Sequence, residues 1–79
     1  MLVEEKLKEI LVDKIEISPD EFTSEAKLAD DFGVDSTELV EIMLSLEKAL
    51  GIKIPEGLIR KDFSIGEVVT IVQEKCAIN

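Results

Sequence analysis

The chain has 79 residues, a length that fits one domain, and its 18 acidic and 9 basic side chains give a net charge of −9. This charge excludes nucleic acid and anionic membrane surfaces as partners, because both bind cationic protein surfaces. It favours basic proteins as partners, and the lack of histidine removes the commonest general base and metal ligand.

The first predicted helix covers residues 2–15, where apolar side chains repeat at helical spacing: Val3, Leu7, Ile10, Leu11 and Ile15. The start of the chain lacks the basic segment and long apolar run of a signal peptide, and no stretch has transmembrane length. A single cysteine cannot form an internal disulfide. We therefore expect a protein with no membrane insertion that is cytoplasmic, the alternative being an organelle matrix after cleavage of a preceding segment.

Residues 16–35 form a long connection whose apolar residues have no clean period. Such a loop is uncommon in a compact domain and is often functional. We expect its apolar side chains to pin it over the core, with a short helical turn around residues 23–29.

The second predicted helix follows Asp35 and has an apolar stripe: Leu39, Ile42, Met43, Leu46 and Leu50. Ser36 precedes this stripe and is the expected N-cap, because a hydroxyl there accepts a hydrogen bond from a free backbone N–H. Gly51 is the expected stop, since glycine readily adopts the left-handed conformation that ends helices.

The outer face of this helix is acidic and partly apolar. Six carboxylates lie between positions 30 and 47 with no lysine or arginine among them: Asp30, Asp31, Asp35, Glu38, Glu41 and Glu47. Thr37, Val40 and Leu44 form a second stripe at helical spacing. This pattern predicts a docking surface, although solvated helix faces are often acidic without binding anything.

After the second helix, residues 52–55 predict an extended exit, and residues 56–61 a short third helix. Ser64 and Glu67 match a capping box, which predicts the start of a last helix. The β-branched run at residues 68–72 favours strand by local propensity. We predict helix, because of the capping box and because no convincing partner strand is present.

Few residues suggest chemistry by themselves. Cys76 has no partner base, which argues against a catalytic thiol. Asp30, Asp31 and Asp35 offer oxygen ligands for a divalent cation, but without the pattern of an EF-hand loop. Ser36 alone is compatible with a helix cap and nothing more.

The sequence from Gly33 to Ile42, GVDSTELVEI, resembles the Asp-Ser motif of acyl carrier proteins. In that family an Asp-Ser pair opens the second helix, and a Val-Glu pair follows at the positions of Val40 and Glu41. The resemblance extends through Leu46-Glu47, through residues 51–55 and through residues 64–66 at the start of the last helix. It therefore spans nearly the whole chain in the family's order.

The resemblance implies an all-α, four-helix acyl-carrier-like bundle with a long loop between helices 1 and 2 and a short third helix. It also supports a helix over residues 68–72. We expect residues 1–79 to form a single acyl carrier domain that is a monomer. The resemblance implies that the protein is a carrier and not an enzyme.

The family's serine is esterified with 4′-phosphopantetheine by a transferase that uses coenzyme A. The resemblance places this covalent arm on Ser36, with Asp35 as its motif neighbour and no metal site. Acyl groups would travel on the arm as thioesters. The partners would be the phosphopantetheinyl transferase and acyl-transferring and chain-elongating enzymes with basic docking patches. The expected docking residues are Thr37, Glu38, Val40, Glu41, Leu44 and Glu47.

Two positions depart from the usual fatty-acid carriers, which have leucine or methionine at Thr37 and often an aromatic or acidic pair at Leu50-Gly51. These departures do not decide whether the chain serves fatty acid, polyketide or related lipid biosynthesis. A peptidyl carrier is a further possibility that the sequence favours less. Two rival hypotheses come from other classes. One is an acidic helical adaptor for a basic partner without a covalent cofactor, and the other is a small metal-binding regulator.

Overall fold

The computed structural model describes residues 2–78, and every extended regular element in this range is a helix. In chain order these are α1 (Leu2–Ile15), a 3₁₀ turn (Pro19–Glu21), α2 (Leu28–Phe32), α3 (Ser36–Leu50) and α4 (Ile65–Ile78). The all-α, four-helix fold is therefore confirmed, and α1 has the predicted bounds.

The core lies where α1 packs against both α3 and α4. The largest fully buried side chains are all aliphatic: Leu7, Leu11, Leu28, Ile42, Leu46, Val68 and Val72. Burial of an aliphatic side chain of this size contributes about 1.5–3 kcal/mol to folding. Packing therefore depends on branched aliphatic side chains, as expected for a chain with three phenylalanines and no tryptophan or tyrosine.

The long connection between α1 and α3 is held to the core as predicted. Ile17, Leu28 and Val34 are buried along it, and Phe22 and Phe32 are half-buried. The helix α2 forms within this connection, slightly later in the chain than the predicted turn at residues 23–29. The connection consequently has a fixed path that delivers the chain to the start of α3.

The predicted short third helix over residues 56–61 is wrong, because this segment forms turns. Gly57 has a φ of 89°, which interrupts a helix at its second residue. The N–H of Leu58 donates to the carbonyl of Pro55 at 3.1 Å, and no helical ladder follows. The short helix of the bundle is α2, which lies before the long α3 helix.

Two loops pair with each other on one side of the bundle. The N–H of Ala29 donates to the Lys61 carbonyl at 2.8 Å, and the N–H of Ile65 donates to the Ala26 carbonyl at 2.8 Å. Lys27 and Ser64 form an isolated antiparallel bridge between these bonds. The pairing ties the segment before α2 to the segment before α4.

The last segment is a helix despite its β-branched sequence. The Ser64 hydroxyl accepts from the Glu67 N–H at 3.2 Å, and the Glu67 carboxylate accepts from the Ser64 N–H at 2.9 Å. This is the predicted capping box. Val68 and Val72 are fully buried, so tertiary packing outweighs the local strand propensity. Within residues 2–78, no helix is long and apolar enough to cross a membrane.

Candidate functional site

The start of α3 is the candidate site, and three features of the backbone bring it to the surface. The chain leaves α2 at Gly33, whose φ of 68° turns it sharply. Val34 is buried and anchors the link, while Asp35 is extended and exposed. Ser36 is then the first helical residue, and it is exposed to solvent.

The predicted N-cap at Ser36 is wrong, because Asp35 takes that position. The Asp35 carboxylate accepts from the Glu38 N–H at 2.8 Å, and the Glu38 carboxylate accepts from the Asp35 N–H at 3.2 Å. Because Asp35 and Glu38 make both bonds of this capping box, Ser36 does not cap the helix. In residues 2–78, no hydrogen bond engages the Ser36 hydroxyl.

The position of Ser36 suits a covalently bound anion. The first backbone N–H groups of a helix lack intrahelical partners, and the helix dipole is positive at this end. A phosphate group on Ser36 would lie at the start of a 15-residue helix. The carboxylates of Asp35 and Glu38 repel such a group, although each of them accepts a backbone N–H.

Among residues 2–78, no side chain that could act as a base is hydrogen-bonded to Ser36. Activation requires a base within hydrogen-bonding distance, and the structure shows none on Ser36 in the described part of the chain. The chain also contains no histidine.

The predicted docking residues lie along α3 from its first turn. Val40 and Leu44 are 51% and 52% exposed, which is high for large aliphatic side chains. Thr37 and Glu41 are exposed, and Glu38 is half-buried within the capping box. Glu47 differs from the rest, because its half-buried carboxylate accepts from the N–H of Ile54 at 2.5 Å.

A groove of about 550 Å³ opens beside Ser36, between α3 and the chain that follows it. We call it the Ser36 groove. Its walls include Ser36, Leu39, Met43, Leu44 and Glu47 from α3, and Ile54, Pro55, Ile59, Arg60 and Lys61 from the opposite side. The lining is mostly apolar, with charged side chains at its rim.

The sequence did not predict this groove. Leu39 and Met43 were expected in the core stripe of α3, but they are half-buried and line the groove. Ile42 and Leu46 are the members of that stripe that are fully buried. The apolar residues Ile54 and Ile59 after the helix were the available signal for an opposite wall.

In residues 2–78, no group of three or more histidine, cysteine, aspartate or glutamate side chains is arranged to hold a metal ion. The Asp31 carboxylate accepts from the Lys27 N–H at 2.6 Å, and Asp35 caps α3. Both carboxylates thus stabilise the starts of helices. Cys76 is a free, half-buried thiol on α4, and it is not among the residues that line the groove.

Comparison with known proteins gives a family for the chain. The model of the family described as "Phosphopantetheine attachment site" matches residues 5–74. This range includes α3, the Ser36 groove and most of α4.

Curated relatives match over nearly their whole length. An acyl carrier protein of Amoebophilus asiaticus is 37% identical over 75 residues, which cover 95% of this chain and 94% of the relative. An acyl carrier protein of Clostridium perfringens is 39% identical over 70 residues, covering 89% of this chain and 92% of the relative. One from Thermotoga maritima is 33% identical over 70 residues, covering 89% and 86%.

Proposed function

Because the chain belongs to the acyl carrier protein family, we propose that Ser36 is the residue that bears its 4′-phosphopantetheine arm. The protein is a carrier and not an enzyme. It holds acyl groups as thioesters on an arm taken from coenzyme A, and biosynthetic enzymes act on those groups. These family properties do not favour the adaptor without a cofactor.

One observation supports Ser36 above the other serines. Its hydroxyl is exposed and unbonded among the described residues, at the start of a long helix whose cap is already supplied by Asp35. Ser64 caps the long helix α4, and its hydroxyl accepts from the N–H of Glu67. Esterification of Ser36 therefore breaks no hydrogen bond in the fold.

The attachment reaction needs little from this chain beyond position. The Ser36 oxygen forms a new bond to the coenzyme A phosphorus that carries the pantetheine arm. The pyrophosphate linkage of coenzyme A breaks, and adenosine 3′,5′-bisphosphate leaves. Among residues 2–78 no base is hydrogen-bonded to Ser36, so in this proposal a base of the phosphopantetheinyl transferase accepts the serine proton. The reactive thiol is then the arm's own, and the domain contributes position and recognition.

The partner surface in this proposal consists of the exposed face of α3 together with Glu47. Val40 and Leu44 supply apolar contact area at the middle of the face. Glu38, Glu41 and Glu47 supply negative charge, which steers basic partners toward Ser36. The partners are the transferase and the acyl-transferring and chain-elongating enzymes of fatty acid, polyketide or related lipid biosynthesis.

The Ser36 groove gives the arm and its cargo an apolar surface within the same domain. A chain that starts at Ser36 reaches this groove without crossing the protein surface, because Ser36 is part of its lining. We also propose that residues 1–79 act as a single carrier domain, as a monomer, in the cytoplasm.

The decisive experiment is intact-mass spectrometry after incubation with coenzyme A and a broad-specificity phosphopantetheinyl transferase. The wild-type protein should gain the mass of one phosphopantetheine, and Ser36→Ala should gain none. Ser45→Ala is the matched control, because it removes another hydroxyl from the same helix and should leave the gain intact. A gain that persists in Ser36→Ala would refute the assignment, and no gain in any folded variant would return the adaptor to first place.

A further inference from the structure

Glu47 holds the chain that leaves α3 through both its backbone and its side chain. Its carbonyl accepts from the N–H of Gly51 at 2.8 Å and from the N–H of Ile52 at 3.2 Å. Its carboxylate oxygen Oε2 accepts from the N–H of Ile54 at 2.5 Å. The first two bonds end the helix, and the third fixes a residue beyond it.

The bond to Ile54 fixes one wall of the Ser36 groove. Ile52 and Ile54 are only 9% and 8% exposed, so the exit segment packs inward on both. Pro55, the next residue, has no N–H to offer as an alternative anchor. The Glu47 carboxylate therefore holds the point at which the opposite wall of the groove begins.

We propose that Glu47 is a positioning residue that sets the width of the Ser36 groove through its bond to Ile54. This inference rests on the proposed function, in which an acylated arm on Ser36 uses that groove. Loss of the bond frees the wall from residue 54 onward, and the groove then shields the thioester less well from water. The role is separate from any attraction between the Glu47 charge and a basic partner.

Two conservative substitutions separate the bond from the charge. Glu47→Gln keeps an oxygen acceptor at the same distance for Ile54 but removes the charge. Glu47→Asp keeps the charge but shortens the side chain by one methylene, so the carboxylate no longer reaches Ile54. Glu74→Gln and Glu74→Asp are matched controls, because Glu74 is exposed on α4, lies outside the groove and the docking surface, and makes no hydrogen bond with its side chain among the described residues.

The first measurement is amide hydrogen exchange at Ile54 in the unmodified chain, which needs no arm. A hydrogen bond to a charged group is strong enough that its loss in Glu47→Asp should speed exchange by at least about tenfold. Glu47→Gln should stay within about threefold of wild type, because a neutral bond remains. Exchange at Leu11, in the core of α1, should remain much slower than exchange at Ile54 in all variants, which shows that the fold persists.

The second measurement is the rate at which hydroxylamine cleaves an octanoyl thioester on the arm. Exclusion of water shields reactive groups, so Glu47→Asp should raise this rate by about threefold or more while Glu47→Gln leaves it near wild type. The Glu74 variants should match wild type in both measurements.

The proposal would be overturned if Glu47→Gln raised the exchange and cleavage rates more than Glu47→Asp did. It would also be overturned if both variants had wild-type rates. The first result would assign Glu47 a role through charge alone, and the second would make the bond to Ile54 irrelevant to the groove. If no arm attaches to Ser36, the proposed function fails, while exchange at Ile54 still decides whether Glu47 holds the wall.

Discussion

The helices α3 and α4 begin with the same device, a capping box closed by a glutamate three residues later, yet their serines occupy different positions. In α4 the cap is Ser64, whose hydroxyl accepts from Glu67. In α3 the cap is Asp35, and Ser36 stands one residue further on with its hydroxyl unbonded in the described structure. A shift of one residue therefore separates a serine that stabilises the fold from one that is available for chemistry.

Exchanging the two residues at the start of α3 should have the largest effect. In the double variant Asp35→Ser with Ser36→Asp, the hydroxyl moves to the capping position and resembles Ser64. Both residue types cap helices well, so the free energy of unfolding should change by less than about 0.5 kcal/mol. Displacement of the proposed attachment hydroxyl should slow phosphopantetheine attachment by at least about a hundredfold.

Intact mass against time and chemical denaturation measure these two effects on the same protein. If the double variant gained its arm at the wild-type rate, the transferase would accept a serine in the capping position. The different serine positions in α3 and α4 would then not explain which serine is modified.

Reversal of the charge at Glu41 should have the next largest effect. Glu41 is exposed and takes no part in either capping box, so Glu41→Lys tests the acidic face without disturbing the start of α3. Charge reversal at an interface acts mainly on the association rate, and attachment at low salt should slow by about tenfold. The difference from wild type should shrink at high salt because of screening.

Glu38→Lys is a poor substitute for this test, because Glu38 closes the capping box with Asp35. Transfer rates that are equal for wild type and Glu41→Lys at low salt would remove Glu41 from the docking surface.

Removal of each serine hydroxyl should give opposite outcomes at the two helices. Ser64→Ala should lower the free energy of unfolding by about 1 kcal/mol through loss of the cap, with no change in attachment. Ser36→Ala should change stability by less than about 0.5 kcal/mol, since alanine is well tolerated inside a helix. Thermal melting resolves this, because 1 kcal/mol corresponds to about 4–8 °C in a domain of this size. Equal losses in the two variants would mean that Ser36 stabilises α3 after all.

The smallest expected effect concerns charge over the whole chain. A net charge of −9 repels itself in the folded state, so added salt should raise the melting temperature by a few degrees. The rise should persist in Ser64→Ala, because the neutral hydroxyl is replaced without a change of charge. A melting temperature that does not respond to salt would indicate that the acidic groups are too far apart to matter.

Regular patterns in the sequence predicted the regular parts of the fold. The spacing of Leu7 and Leu11 predicted a buried face, and Ser64 with Glu67 predicted the start of α4. The Asp-Ser motif pointed to Ser36 through its resemblance to a family. Local chemistry did not decide between Asp35 and Ser36 as the cap, because both residues cap helices well.

The features that sequence reasoning missed depend on contacts between distant residues or on glycine geometry. The local sequence of residues 56–61 is compatible with a helix, but the positive φ of Gly57 interrupts it. The bond from Ile54 to Glu47 crosses a chain reversal, and no local pattern encodes it. The Ser36 groove likewise exists only once the exit segment lies against α3.

The pairing of the two loops has a consequence for the order of folding. The Ile65 N–H and the Ala26 carbonyl are joined across roughly forty residues of chain, and closing so long a loop costs entropy that local helix formation does not. The helices themselves should therefore begin to form before the loops meet, and mutations at the pairing should mainly speed unfolding. Gly66 is a suitable probe, because a Cβ there would lie 3.2 Å from both the Cβ and the carbonyl oxygen of Ser24. A variant at Gly66 that speeds unfolding and leaves the folding rate unchanged would show that this pairing forms late.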